Sequence, residues 1–199
     1  MRALVTGFDP FGGGRVNASL EAVRRLPARI GTFDIVTAVL PTSYARSIPA
    51  LKAAIRDARP AIVLCVGEAG DRSQLSVERV AVNLQDARIP DNDGAAPADR
   101  PVVRGGPAAY FATLPVRKMV AALRAAELPA ELSSSAGTFV CNHVFYGLMR
   151  VAATARRSFR GGFLHVPCLT RQHGTAAPSM ALDDIVRGIL ICVDAATPD

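Results

Sequence analysis

Lysine and aromatic side chains are scarce in this chain. It has no tryptophan, three tyrosines and eight phenylalanines, and of its 23 basic residues only Lys52 and Lys118 are lysine. The formal charge of +6 therefore comes from arginines, which are scattered along 199 residues rather than gathered on one face. Aromatic residues are not interleaved with them as stacking platforms for bases would be, so no nucleic-acid partner is expected. No apolar run approaches the roughly 18 to 20 residues that span a bilayer. The apolar start at residues 1–7 is too short for a signal peptide. No membrane partner is expected, and a cytoplasmic location is the default. The four cysteines, Cys65, Cys141, Cys168 and Cys192, lie far apart without a CxxC pair. That spacing excludes a disulfide framework and the paired ligands of a structural zinc site. HExxH is absent too, as are the Lys-Ser/Thr of a P-loop and the GxGxxG order.

What remains is a chain half apolar in composition, of a length that suits one domain over residues 1–199, with no repeat and no evident boundary. Residues 2–6 read as a buried first strand entering a Gly-rich loop at 7–14. Asn17 or Ser19 is placed to cap a helix running to about Leu26. Residues 33–40 read as a strand, 43–58 as a helix with Pro49 in its first turns, and 61–66 as a strand covered on both faces. This alternation predicts an α/β sheet with helices on both faces. Residues 75–84 mix β-branched and polar side chains and predict a more exposed strand, followed by a turn-rich excursion through 107. Helices are expected at 115–128, 141–157 and 180–194, with strands at 131–136 and 162–166.

Three titratable groups fall near the ends of predicted strands, where ligands gather in open α/β sheets. Cys141 stands at a strand–turn–helix junction after Gly137. There the positive end of a helix dipole favours the thiolate, although a cysteine starting a helix is more often simply core. His165 lies near the end of an apolar strand, either as a satisfied core histidine or as general base and acid for a nucleophilic thiol. Glu78 reads either as an ion-pair partner of an Arg on a solvated strand face, or as the carboxylate that orients an imidazole. Cys141 with His143, and His165 with Cys168 and His173, offer sulfur and nitrogen ligands but lack paired spacing, so no metal is expected. Phe8 and Phe11 on the first loop either anchor it or wall an apolar pocket.

Several stretches together resemble the pyroglutamyl peptidase I family, the pyrrolidone-carboxylate peptidases. They are Gly7-Phe8-Asp9-Pro10-Phe11-Gly12-Gly13 with Asn17, Leu40-Pro41-Thr42-Ser43-Tyr44 and Val66-Gly67-Glu68-Ala69-Gly70. To these are added Val77-Glu78-Arg79-Val80-Ala81-Val82-Asn83, Asp86-Ala87-Arg88-Ile89-Pro90-Asp91-Asn92, Ser135-Ala136-Gly137-Thr138-Phe139-Val140-Cys141-Asn142 and Phe163-Leu164-His165-Val166-Pro167. Their order and their spread over nearly the whole chain make the combination specific. The resemblance implies a single-domain three-layer α/β/α sandwich with a mixed, mainly parallel central sheet. It implies a cysteine peptidase acting on peptides with N-terminal pyroglutamate, without cofactor and commonly homotetrameric. By the same resemblance Cys141 is the nucleophile, His165 the acid/base and Glu78 its orienting partner. Phe8, Phe11 and Phe139 would enclose the lactam ring, with Asn17 and Glu68 in the same pocket and Arg88 helping to stabilise an oxyanion. The chain departs from the family in carrying Glu68 where Gln is usual, and in Cys168-Leu169-Thr170-Arg171-Gln172 after Pro167.

Overall fold

Long apolar runs that end at Gly or Pro build the centre of the molecule. The computed structural model describes residues 1–155, 158–170, 172 and 178–197. Its strands are β1 (Arg2–Phe8), β2 (Arg29–Ile30), β3 (Phe33–Leu40), β4 (Ile62–Glu68), β5 (Leu75–Glu78), β6 (Val80–Val82), β7 (Ala109–Phe111), β8 (Ala130–Ser133), β9 (Arg160–Val166), β10 (Cys168–Leu169) and β11 (Ser179–Met180). The helices are α1 (Ala18–Arg24), α2 (Ser47–Ala58), α3 (Val116–Ala125), α4 (Val140–Thr154) and α5 (Leu182–Ala195). Seven strands form one sheet in the order β2-β3-β1-β4-β9-β5-β8. β3, β1, β4 and β9 run parallel, while β5 and β8 run against β9, and the short β2 runs against β3.

Alternation along the strands divides the core in two. Val5, Leu64, Val66, Leu75, Val77 and Leu164 meet α1, α3 and α5 on one face. Leu4, Phe8, Val63, Cys65 and Phe163 meet α2 and α4 on the other. This is the mixed, mainly parallel three-layer arrangement expected from the sequence. The helix boundaries follow local chemistry. α1 is capped by Asn17, whose side chain accepts from Ser19 N, and it ends before Pro27. α2 stops at Arg59, which takes the left-handed conformation (φ 46°) ahead of Pro60.

The stretch 75–84 departs from the sequence expectation. All four residues of β5 are buried, and β5 lies inside the sheet between β9 and β8. The polar side chains that suggest an exposed strand are satisfied internally: Ser76 Oγ donates to Glu131 Oε1 at 2.7 Å, and Glu78 is paired as described below. The chain then turns at Arg79, and β6 pairs instead with β7 in a separate ribbon. The predicted end of the fourth helix at Arg157 lies outside the described residues.

Candidate functional site

β1, β4 and β9 are parallel, so their carboxyl ends share one edge of the sheet, and the loops that leave them converge there. A cavity of about 250 Å³ opens at this edge. Of the nine site residues expected from the sequence, eight line it: Phe8, Phe11, Asn17, Glu68, Arg88, Phe139, Cys141 and His165. The ninth, Glu78, sits beneath His165.

Cys141 is the second residue of α4. Asn142, fully buried, accepts from Val82 N at 2.9 Å and donates to the carbonyl oxygens of Val82 and Leu84, each at 2.9 Å. These bonds pin the first turn of α4 to β6 and thereby set where the thiol sits. Gly67 on β4 makes room for it: a Cβ there would lie 2.8 Å from Cys141 Sγ and 2.9 Å from Phe163 Cζ. Gly67 is also the register partner of His165, so the thiol lies over the strand pair that carries the imidazole. Although Cys141 as a residue is partly exposed, its sulfur lies down against the sheet. Burial, and secondarily the charge of Glu78, push its thiol up to about 12, while Arg72 acts in the opposite sense. Burial thus works against the thiolate that the place of Cys141 at a helix start favours.

His165 and Glu78 meet diagonally across the antiparallel β5–β9 pair, in which Ser76 faces His165 and Glu78 faces Phe163. His165 is 4% exposed and Glu78 is fully buried. His165 Nδ1 lies 2.8 Å from Glu78 Oε1. Arg72, which the sequence did not single out, donates through Nη1 to the same oxygen at 2.6 Å. Glu78 therefore meets both an arginine and an imidazole, but on a buried strand rather than a solvated face.

The cavity wall is aromatic. Phe11 and Phe139 pack at 6.0 Å between ring centroids, and Tyr44 meets Phe139 edge-on at 5.7 Å. Phe8 is 2% exposed and leans on Phe163, so it serves the core as well as the wall. Asn17 is equally double: it caps α1, and its Nδ2 donates to Asp9 O at 3.1 Å. Glu68 Oε2 accepts from Ala18 N at 2.6 Å and from Gln172 Nε2 at 2.8 Å, which joins β4, the start of α1 and the segment after β10. Arg88 and Ile89 stand exposed at the rim. Their loop is fastened by Asp91, which accepts from Tyr44 N at 2.8 Å, and by a two-bond pair between Arg46 and Asp93 at 2.6 and 2.7 Å.

Among the described residues, no three His, Cys, Asp or Glu side chains gather as a metal site, and His173 lies outside those residues. His143 instead is buried behind the wall, edge-on to Tyr44 at 5.3 Å, and neither ring nitrogen makes a hydrogen bond of good geometry. Burial holds its imidazole down at about 4, against small opposing influences from the Tyr44 backbone and Asp91. Among the described residues no helix is long and apolar enough to cross a membrane.

Comparison with known proteins gives a consistent result. The family model described as pyroglutamyl peptidase covers residues 1–199. The pyrrolidone-carboxylate peptidase 1 of Ralstonia nicotianae is 51% identical over 194 residues, 96% of this chain and 90% of that protein. The pyrrolidone-carboxylate peptidase of Alkaliphilus oremlandii is 46% identical over 198 residues, 98% and 93% of the two chains. The crystal structure of Bacillus amyloliquefaciens pyroglutamyl peptidase I superposes with a TM-score of 0.95 at 45% identity, covering 98% of this chain and 96% of that one.

Proposed function

The chain belongs to the pyroglutamyl peptidase family, and on that premise we propose that it releases N-terminal pyroglutamyl residues from peptides through a Cys141 thioester, with His165 and Glu78 completing a triad. The family supplies the activity, that of a cysteine-type pyroglutamyl peptidase. The observation that carries the assignment of roles is the His165–Glu78 pair, 2.8 Å apart, with His165 in the wall of the same cavity as Cys141 and Glu78 beneath it.

With Nδ1 committed to Glu78, Nε2 of His165 is the nitrogen free to exchange a proton. The thiol proton passes to Nε2 as Sγ attacks the pyroglutamyl carbonyl carbon, so a thiol that is neutral at rest is ionised only as it reacts. The oxyanion formed is stabilised by the Cys141 backbone N–H, one of the first-turn donors that have no partner within their helix, and by Arg88 from the rim. The C–N bond then breaks as the leaving amine takes the proton from His165. Water, deprotonated by His165, attacks the thioester and releases pyroglutamate, and the thiol is restored.

The pocket chemistry fits a pyroglutamyl group. Its lactam is flat and neutral where an ordinary N-terminus carries an ammonium, which a small aromatic-walled cavity would leave uncompensated. Asn17 keeps a second amide hydrogen for the lactam oxygen, and the acceptors at Glu68 suit the lactam N–H. Proline, lacking the ring carbonyl, would leave such a donor unpaired. The Glu68 carboxylate is already held by two donors, which accommodates its charge and weighs against a silent binding protein with a drifted pocket. The same family reading carries a single catalytic domain over residues 1–199, a cytoplasmic location and a homotetramer, the last checked by light scattering.

The test is release of a chromogenic amine from a pyroglutamyl substrate. Cys141→Ser is expected to lower kcat at least about 10⁴-fold with an unchanged melting temperature. Activity that survives this change, or that is removed by EDTA and not by iodoacetamide, would refute the assignment.

A further inference from the structure

Arg72 belongs to the short connection between β4 and β5, and its guanidinium makes two bonds that join parts of the site otherwise distant in sequence. Nη1 donates to Glu78 Oε1 at 2.6 Å, and Nη2 donates to Ser135 O at 2.8 Å, in the loop that leads into Cys141. Glu78 Oε1 thus receives both Arg72 and His165, whereas Oε2 is buried with no partner. The Glu78 side chain is fully buried and that of Arg72 is 21% exposed. A buried carboxylate whose other neighbour is an imidazole needs a compensating charge and a fixed direction. Arg72 supplies both, because its planar fork aims two donors at once.

We propose that Arg72 is a positioning residue for the reaction: by binding Glu78 Oε1 and Ser135 O together, it holds the carboxylate against His165 and holds the loop that delivers Cys141. This rests on the reading in which Glu78 orients His165. Arg72 acts on the thiol as well as on the carboxylate. Burial apart, Cys141 is opposed by the charges of Glu78 and Glu68 and by Cys65, with Arg72 as the countering cation. Asp71, Asp86, Arg88 and His165 complete the titratable groups of the cavity wall among the described residues. Arg72 offsets part of the field of Glu78 at the sulfur, and loss of Arg72 alone would leave the carboxylate's field unopposed.

The experiment compares Arg72→Met, Arg72→Lys, Glu78→Gln and the double variant Arg72→Met/Glu78→Gln. It reads the pH dependence of Cys141 alkylation by iodoacetamide, which needs no substrate and is followed by mass spectrometry of the modified peptide. Alongside it, kcat and KM are measured on the chromogenic pyroglutamyl substrate. In the unchanged protein the alkylation rate is expected to keep rising above pH 9, since burial raises the thiol. In Arg72→Met the curve moves to higher pH, with a rate at pH 8 lower by about tenfold. At the same time kcat falls about 100-fold while KM stays within about threefold. Arg72→Lys restores the alkylation curve, because the charge returns, but only part of kcat, because the fork does not. The double variant loses less kcat than the product of the two single losses, since part of the Arg72 effect runs through Glu78 and the rest through the Ser135 loop. It also removes both members of the buried pair together, and so remains informative if Arg72→Met does not fold.

An alkylation curve and kcat unchanged in Arg72→Met would overturn the proposal in favour of a structural ion pair. So would a loss confined to KM, which marks a substrate contact, or additive losses in the double variant. Wild-type kcat in Glu78→Gln would instead overturn the role of Glu78 itself, and this inference with it.

Discussion

The two faces of the sheet are built on different principles. The face under α1, α3 and α5 is packed mainly from Val, Leu, Ile and Ala side chains, with Phe33, Met119, Met180 and Cys192 among them. The face under α2 and α4 has equally large apolar residues, Phe145, Tyr146 and Phe163 among them, but it also buries Glu78, His165 and His143. Its polar atoms are not all satisfied: Glu78 Oε2 and both nitrogens of His143 make no hydrogen bond of good geometry. An unpartnered buried polar atom is destabilising by about 1–3 kcal/mol, so the second face gives up stability that the first does not. What it gains is the His165–Glu78 pair, with His165 in the same cavity wall as Cys141. The contrast teaches that the apolar face holds the sheet while the mixed face carries the candidate site, and three measurements can break or sharpen it.

The largest effect is expected on the apolar face. Leu123 of α3 is fully buried there, and Leu123→Ala should lower unfolding free energy in urea by about 2–5 kcal/mol. The kcat and KM of the folded fraction should stay unchanged. A changed KM would mean that the two faces are not separable.

The second concerns His143 and acid. Its imidazole stays neutral in the folded protein down to about pH 4, whereas in the unfolded chain it takes a proton below about 6.5. The folded value is the lower one, so the contribution is complete above pH 6.5 and is lost as pH falls from 6.5 to 4, by about 3 kcal/mol in all. Unfolding measured at pH 7 and at pH 4.5 should show this slope, and His143→Leu should flatten it. An unaltered slope in that variant would assign acid sensitivity to other groups.

The smallest of the three is local to the site. Gly67→Ala places a Cβ 2.8 Å from the Cys141 sulfur, closer than van der Waals contact allows, so the thiol must shift. A displacement of this order is expected to lower kcat about 100-fold, with the melting temperature reduced by a few degrees at most. Full activity in Gly67→Ala would show that the sulfur has room the sheet does not display.

Much was legible before folding. Apolar runs stopped by Gly or Pro marked the strands, and helical spacing marked the helices, because both signals are local. Cys141 could be suspected from its place at a helix start, and the spread of family motifs joined it to His165, Glu78 and the phenylalanines. Arg72 was not legible: it is one arginine in an arginine-rich chain, six residues before Glu78 on a connecting loop, and nothing in that spacing says that they meet. The burial of β5 was equally hidden, since Ser76 and Glu78 look like solvent-facing residues until Glu131, His165 and Arg72 are brought beside them.

The sequence by itself therefore determined the α/β pattern and the family, and singled out Cys141, His165 and Glu78 as candidates, since these are written in short stretches and their order. Only the tertiary structure decided how those groups meet and what holds them. Position and orientation depend on neighbours from other strands and loops: Gly67 beneath the sulfur, Arg72 on the carboxylate, and a sheet register that sets Glu78 diagonally across from His165.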